Sequence, residues 1–83
     1  MHNMKIAQLL QEYHYEPKNG EINLGIANGW DQGTIYFMEA IKPFRVEGSR
    51  TERNLGRCYN EYSFTINDSI DEYNIVYSVD SGD

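Results

Sequence analysis

Residues 58 to 80 hold two runs in which apolar and polar side chains alternate, separated by a short acidic connection. Successive side chains leave a strand on opposite faces, so a period of two marks a strand with one face buried. In the first run Cys58, Tyr62, Phe64 and Ile66 share one parity, while Tyr59, Glu61, Ser63 and Thr65 share the other. In the second, Tyr73, Ile75, Tyr77 and Val79 oppose Asn74, Val76, Ser78 and Asp80. Asn67, Asp68 and Ser69 between them are turn formers, so the region reads as a β-hairpin whose aromatic and β-branched residues pack on one side.

The remainder of the chain is organised to cover that side. Ile6, Leu9, Leu10 and Tyr13 fall at i, i+3, i+4 and i+7, the stripe of a helix docked by one face. The spacing predicts a helix over residues 4 to 14, with Asn3 as its N-cap and Pro17 barring its continuation. Asn19-Gly20 suits a tight turn in which both central residues need positive φ, and Glu21 to Ala27 follows as a strand that buries Ile22, Leu24 and Ile26. Asn28-Gly29 reads as a second turn, and Trp30 to Gly33 as a loop. Thr34 to Met38 is apolar on both parities and reads as a central strand. Phe44 to Glu47, after Pro43, reads as a short edge strand, and residues 48 to 57 as a mobile loop. The expected fold class is therefore α+β: one N-terminal helix packed on a small antiparallel sheet of four to five strands ending in a β-hairpin. The 83 residues fit one domain spanning positions 1 to 83, with positions 81 to 83 as a frayed tail.

Charge divides the chain unevenly. The formal net charge is −6, yet residues 42 to 57 hold five cations, Lys42, Arg45, Arg50, Arg53 and Arg57, against two acids. Residues 58 to 83 hold six acids and no lysine or arginine. An acidic hairpin carrying tyrosines is drawn to basic surfaces, because a field of one sign raises association rates with the opposite sign.

Catalytic chemistry finds little support. Cys58 is the one thiol, and its parity with Phe64 and Ile66 predicts an inert core position rather than a nucleophile beside His2 or His14. His14, at the end of the first helix, is placed to meet the last helical carbonyls. One cysteine and two distant histidines supply no metal site, the glycine spacing lacks the context of a phosphate-binding loop, and no cofactor is implied. The chain is therefore expected not to be an enzyme.

The expected role is that of a small acidic inhibitor or immunity-type protein, anti-defence or antitoxin-like, occupying a basic site on a larger partner such as a nuclease. Tyr59, Glu61, Asp68, Asp71 and Glu72 form the expected partner-binding set, since tyrosine gives contact area at low entropic cost. A second reading is a structural or regulatory subunit that assembles through a strand edge, with a homo-oligomer as one outcome. A third is a nucleic-acid binder using the loop from Arg45 to Arg57, with Arg50, Arg53 and Arg57 on phosphates and Tyr59 or Trp30 as a stacking platform; a pI of about 4.7 opposes it. No apolar run reaches the roughly 20 residues that span a bilayer, and no export signal opens the chain, so the expected location is the cytoplasm, away from membranes.

Overall fold

A computed structural model describes residues 5 to 81. The chain runs α1 (Ile6–Tyr13), β1 (Glu21–Ile26), α2 (Gln32–Ala40), β2 (Thr51–Asn54), β3 (Tyr59–Asn67) and β4 (Glu72–Asp80), with single 3-10 turns at Ala27–Gly29 and Lys42–Phe44. The four strands form one sheet in the order β1-β4-β3-β2. This is the expected α+β architecture, with an N-terminal helix packed on a sheet that contains the hairpin.

The hairpin forms in the register that its alternation demands. Phe64 lies opposite Ile75, Tyr62 opposite Tyr77, and Ile66 opposite Tyr73. Helix α1 sets Ile6, Leu9 and Leu10 against this face, and all three are buried. The candidate cap Asn3 lies outside the described residues. Lys5 occupies the N-cap position, and its N–H donates to Gln8 Oε1 at 2.9 Å. At the other end His14 sits in the left-handed region (φ 63°, ψ 40°) and the Tyr15 N–H reaches back to the Leu10 carbonyl at 2.9 Å. His14 thus ends the helix through its backbone, where a glycine is the usual choice. Asn19 and Gly20 take φ of 54° and 75°, and Lys18 exchanges two backbone hydrogen bonds with Glu21, so the expected tight turn is present.

Four expectations are corrected. Residues 34 to 38 are not a strand but the middle of α2. The Asp31 carboxylate caps that helix by accepting from Thr34 N–H at 2.9 Å, and Thr34, Phe37, Met38 and Ile41 recur at helical spacing on the core side. A run apolar on both parities satisfies either periodicity, and the cap decides it. Secondly, the sheet is mixed: β1 runs parallel to β4, with Ile22 beside Ile75. Parallel neighbours need a crossover, here supplied by everything between β1 and β4. Thirdly, Phe44 to Glu47 is no edge strand, because only Arg45 makes an isolated bridge, to Ile66. Fourthly, the supposed loop of residues 48 to 57 contains β2, which pairs antiparallel with β3.

The core is a single cluster in which Ile6, Leu9, Leu10, Phe37 and Ile41 of the helical layer meet Ile22, Leu24, Phe64, Ile66 and Ile75 of the sheet. Tyr13 and Tyr15 pack on Phe37 with ring centroids 5.6 and 4.4 Å away. Cys58 was expected in this cluster and is only half-buried. Its parity is that of the core, but the helical layer stops short of the start of β3, so nothing covers it fully.

Candidate interaction surface

Both helices bury their apolar residues against the same face of the sheet, which leaves the opposite face without a helical cover. Its occupants follow from the register. Glu21 and Asn23 of β1 lie beside Asn74 and Val76 of β4. Across β4 and β3, Glu72 faces Asn67, Val76 faces Ser63, Ser78 faces Glu61, and Asp80 faces Tyr59. On β2, Thr51 and Arg53 face Ser63 and Glu61. Val76 is the one apolar residue in the middle, and its neighbours shield it to 6% exposure. Four carboxylates, those of Glu21, Glu61, Glu72 and Asp80, stand on this face against the single guanidinium of Arg53.

The face is shallowly concave. A depression of about 460 Å³ is lined by residues of all four strands, among them Glu21, Thr51, Arg53, Glu61, Asn74 and Val76. Toward the end where β3 begins it carries exposed apolar side chains beside Asp80. Tyr59 is 41% exposed, Leu55 49% and Ile26 43%. The Leu55 N–H donates to the Tyr59 carbonyl, which sets those two residues across from each other. Ile26 joins this end because a bulge after Asn23 shifts the β1 register and pairs Ile26 with Ser78. Gly25 absorbs the bulge at φ 75°, and its N–H is held by Asn23 Oδ1 at 2.8 Å.

The structure separates the expected partner-binding residues into two groups. Tyr59 and Glu61 stand at one end of β3, while Asp68, Asp71 and Glu72 stand beyond its other end, roughly 27 Å away at about 3.4 Å per residue. Glu72 is exposed at the acidic end of the open face and Asp71 is half-buried in the turn.

Asp68 has its oxygens committed within the chain. Oδ1 accepts from the backbone N–H groups of Ile70 and Asp71 at 2.8 and 2.7 Å, and Oδ2 accepts from the Ile6 N–H at 2.9 Å. One carboxylate therefore closes the hairpin turn and also satisfies a free donor at the start of α1. The N–H of Asp71, then those of Ile6 and Ile70, lower its pKa below the ordinary 3.8 by stabilising the charged form, and the Lys5 charge adds to this.

The basic set of the rival reading is dispersed and partly spent. Arg53 Nη2 lies 3.0 Å from Glu61 Oε1, so the two candidate surfaces share an ion pair. Arg50 stacks over Tyr62 at 5.0 Å and Arg45 over Phe64 at 3.8 Å, both from the helix-bearing side. Arg57 is exposed in the turn between β2 and β3. Trp30 donates from Nε1 to the Leu24 carbonyl at 2.7 Å and packs on Tyr77 at 5.2 Å, which fixes it as part of the fold. Glu21 escaped the sequence reading because its place on the face depends on the parallel pairing of β1 with β4, which leaves no local signal. Among the described residues no group of three or more His, Cys, Asp or Glu side chains is arranged to hold a metal ion. Among the same residues no helix is long and apolar enough to cross a membrane. Comparison with protein-family models, with curated proteins and with solved structures finds no match.

Proposed function

We propose that this protein is a small cytoplasmic interaction protein of the inhibitor or immunity type, which lays its open sheet face on a basic site of a larger protein. The observation that carries the reading is the uncovered face itself. It is continuous over four strands, has three more carboxylates than guanidinium groups, and carries exposed apolar side chains at one end, Tyr59 and Leu55 across from each other and Ile26 on the far edge of the sheet. Interfaces combine such an aromatic or aliphatic anchor with a polar rim, and opposite charge speeds the encounter. A partner that normally holds nucleic acid suits it, since carboxylates can take the place of phosphates on its lysines and arginines. Glu61 is already neutralised by Arg53, and the test below rests on Glu21 and Glu72.

The test is cross-linking from a tagged bait to identify the partner, followed by two charge reversals measured against it. Glu21→Lys with Glu72→Lys is expected to slow association, because rim charges act on the on-rate, and Tyr59→Ala to speed dissociation. Arg50→Glu with Arg57→Glu is expected to leave binding intact.

A further inference from the structure

The free edge of β2 is a second surface, which shares Arg53 and Leu55 with the rim of the open face but does not rest on the reading given for that face. All four residues of β2 are exposed, and the strand is paired with β3 on one side only. Bonded and non-bonded residues alternate along an antiparallel ladder. Because the Leu55 N–H donates to the Tyr59 carbonyl, Arg53 and Thr51 likewise turn their amides toward β3. The N–H and C=O groups of Glu52 and Asn54 are left pointing outward, with no backbone partner beyond the sheet among the described residues. Neither a proline nor a bulge blunts this edge, and Gly48 and Gly56 bound it with positive φ of 81° and 155°.

A second copy of the chain fits this edge poorly. Two antiparallel edges joined symmetrically are related by a two-fold axis normal to the sheet, which keeps like faces on the same side, so each residue meets one of its own parity. Registers centred on Thr51 or Asn54 run off the strand into the turns at Gly48 and Gly56; in the two centred on Glu52 and Arg53, either Glu52 meets Glu52 of the other copy, or Glu52 meets Asn54 and Arg53 meets Arg53. Both place like charges directly opposite, which destabilises the pairing. A strand of different sequence escapes the conflict.

We propose that the β2 edge accepts an extended acidic segment of another protein as a fifth, antiparallel strand. Main-chain bonds to Glu52 and Asn54 would hold it, and the side chains of β2 set its sequence. Arg50 is exposed and has no carboxylate within ion-pairing distance among the described residues, so it calls for an acid opposite. The Arg53 guanidinium has donors beyond the one used by Glu61, so it calls for another. Leu55 calls for an apolar residue, and Glu52 for an uncharged one. Read from its own N-terminus, the segment is apolar, polar, acidic, polar, polar, acidic.

The probe is the blocked peptide Thr-Val-Thr-Glu-Thr-Thr-Glu-Thr, titrated into the isotope-labelled full chain and followed by amide NMR shifts. Shifts are expected to centre on Glu52 and Asn54, and binding to weaken roughly tenfold when both peptide glutamates become lysine. N-methylation of the threonine between the glutamates that faces Glu52 removes one main-chain bond without touching the protein, and should abolish the shifts. Glu52→Pro should do the same from the protein side, since that N–H is not used by β3; its melting curve reports whether the fold survives. Equal binding of the lysine or N-methylated peptide, shifts confined to the open face, or no shifts at all would overturn the proposal. So would β2 amides that move on dilution without peptide, the mark of self-pairing.

Discussion

Asp68 ties the turn of the hairpin to the first helix, and its lowered pKa makes that tie sensitive to pH. A carboxylate whose folded pKa is depressed stabilises the fold above its ordinary pKa and loses that contribution as pH falls through the lowered value. Asp68→Asn is therefore expected to lower the melting temperature near neutrality, with the gap from the parent chain closing below about pH 4; thermal melts across that range decide it. His14 offers a change of the opposite sign. A side chain in the left-handed region costs about 1 kcal/mol, so His14→Gly is expected to raise stability by roughly 0.5 to 1 kcal/mol in urea unfolding. The turn at Asn19-Gly20 was legible because its residue types answer a conformational need. The tie from Asp68 to Ile6 was not, because a turn aspartate looks the same whether or not a helix ends above it. Cys58 shows a similar limit: its parity was readable, but the reach of the helical layer was not. Its thiol is accordingly expected to react with a thiol reagent in the native protein faster than a core thiol would.

The elements differ in how far local pattern determined them. Helix α1 and the hairpin carry one clean periodicity each and formed where it placed them; strand β1 followed its own through Leu24, but the bulge at Gly25 turned Ile26, expected in the core, out to 43% exposure. Helix α2 carries two compatible ones. Its assignment makes Ile35 and Phe37, which a strand would put on the same side, differ sharply: Ile35 is 42% exposed and Phe37 fully buried. Phe37→Ala is expected to cost about 3 to 5 kcal/mol, whereas Ile35→Glu should stay within about 0.5 kcal/mol. Comparable losses at both positions in denaturant unfolding would favour the strand. The parallel pairing of β1 with β4 had no local signature either, since Ile22 and Ile75 are brought together only by the closed core.

Across the molecule, charge and topology together divide the surface by task. The helices take one face of the sheet, and the acids of β1, β3 and β4 collect on the other. The sequence showed the acidic hairpin with its tyrosines but joined Tyr59 to Asp68 and Asp71 in one patch. The length of β3 parts them, and the strand order adds Glu21 instead. It also brings Arg53 from the supposed rival loop onto the same face, as the partner of Glu61. The most direct measurement is the association rate of the cross-linked partner with three forms of the protein: the parent chain, Glu21→Lys with Glu72→Lys, and Arg50→Glu with Arg57→Glu. At low salt the acidic reversal is expected to slow association about tenfold or more and to flatten its salt dependence, with the arginine reversal silent. Loss of association on the arginine reversal alone, with the acidic reversal silent, would contradict docking through the open face.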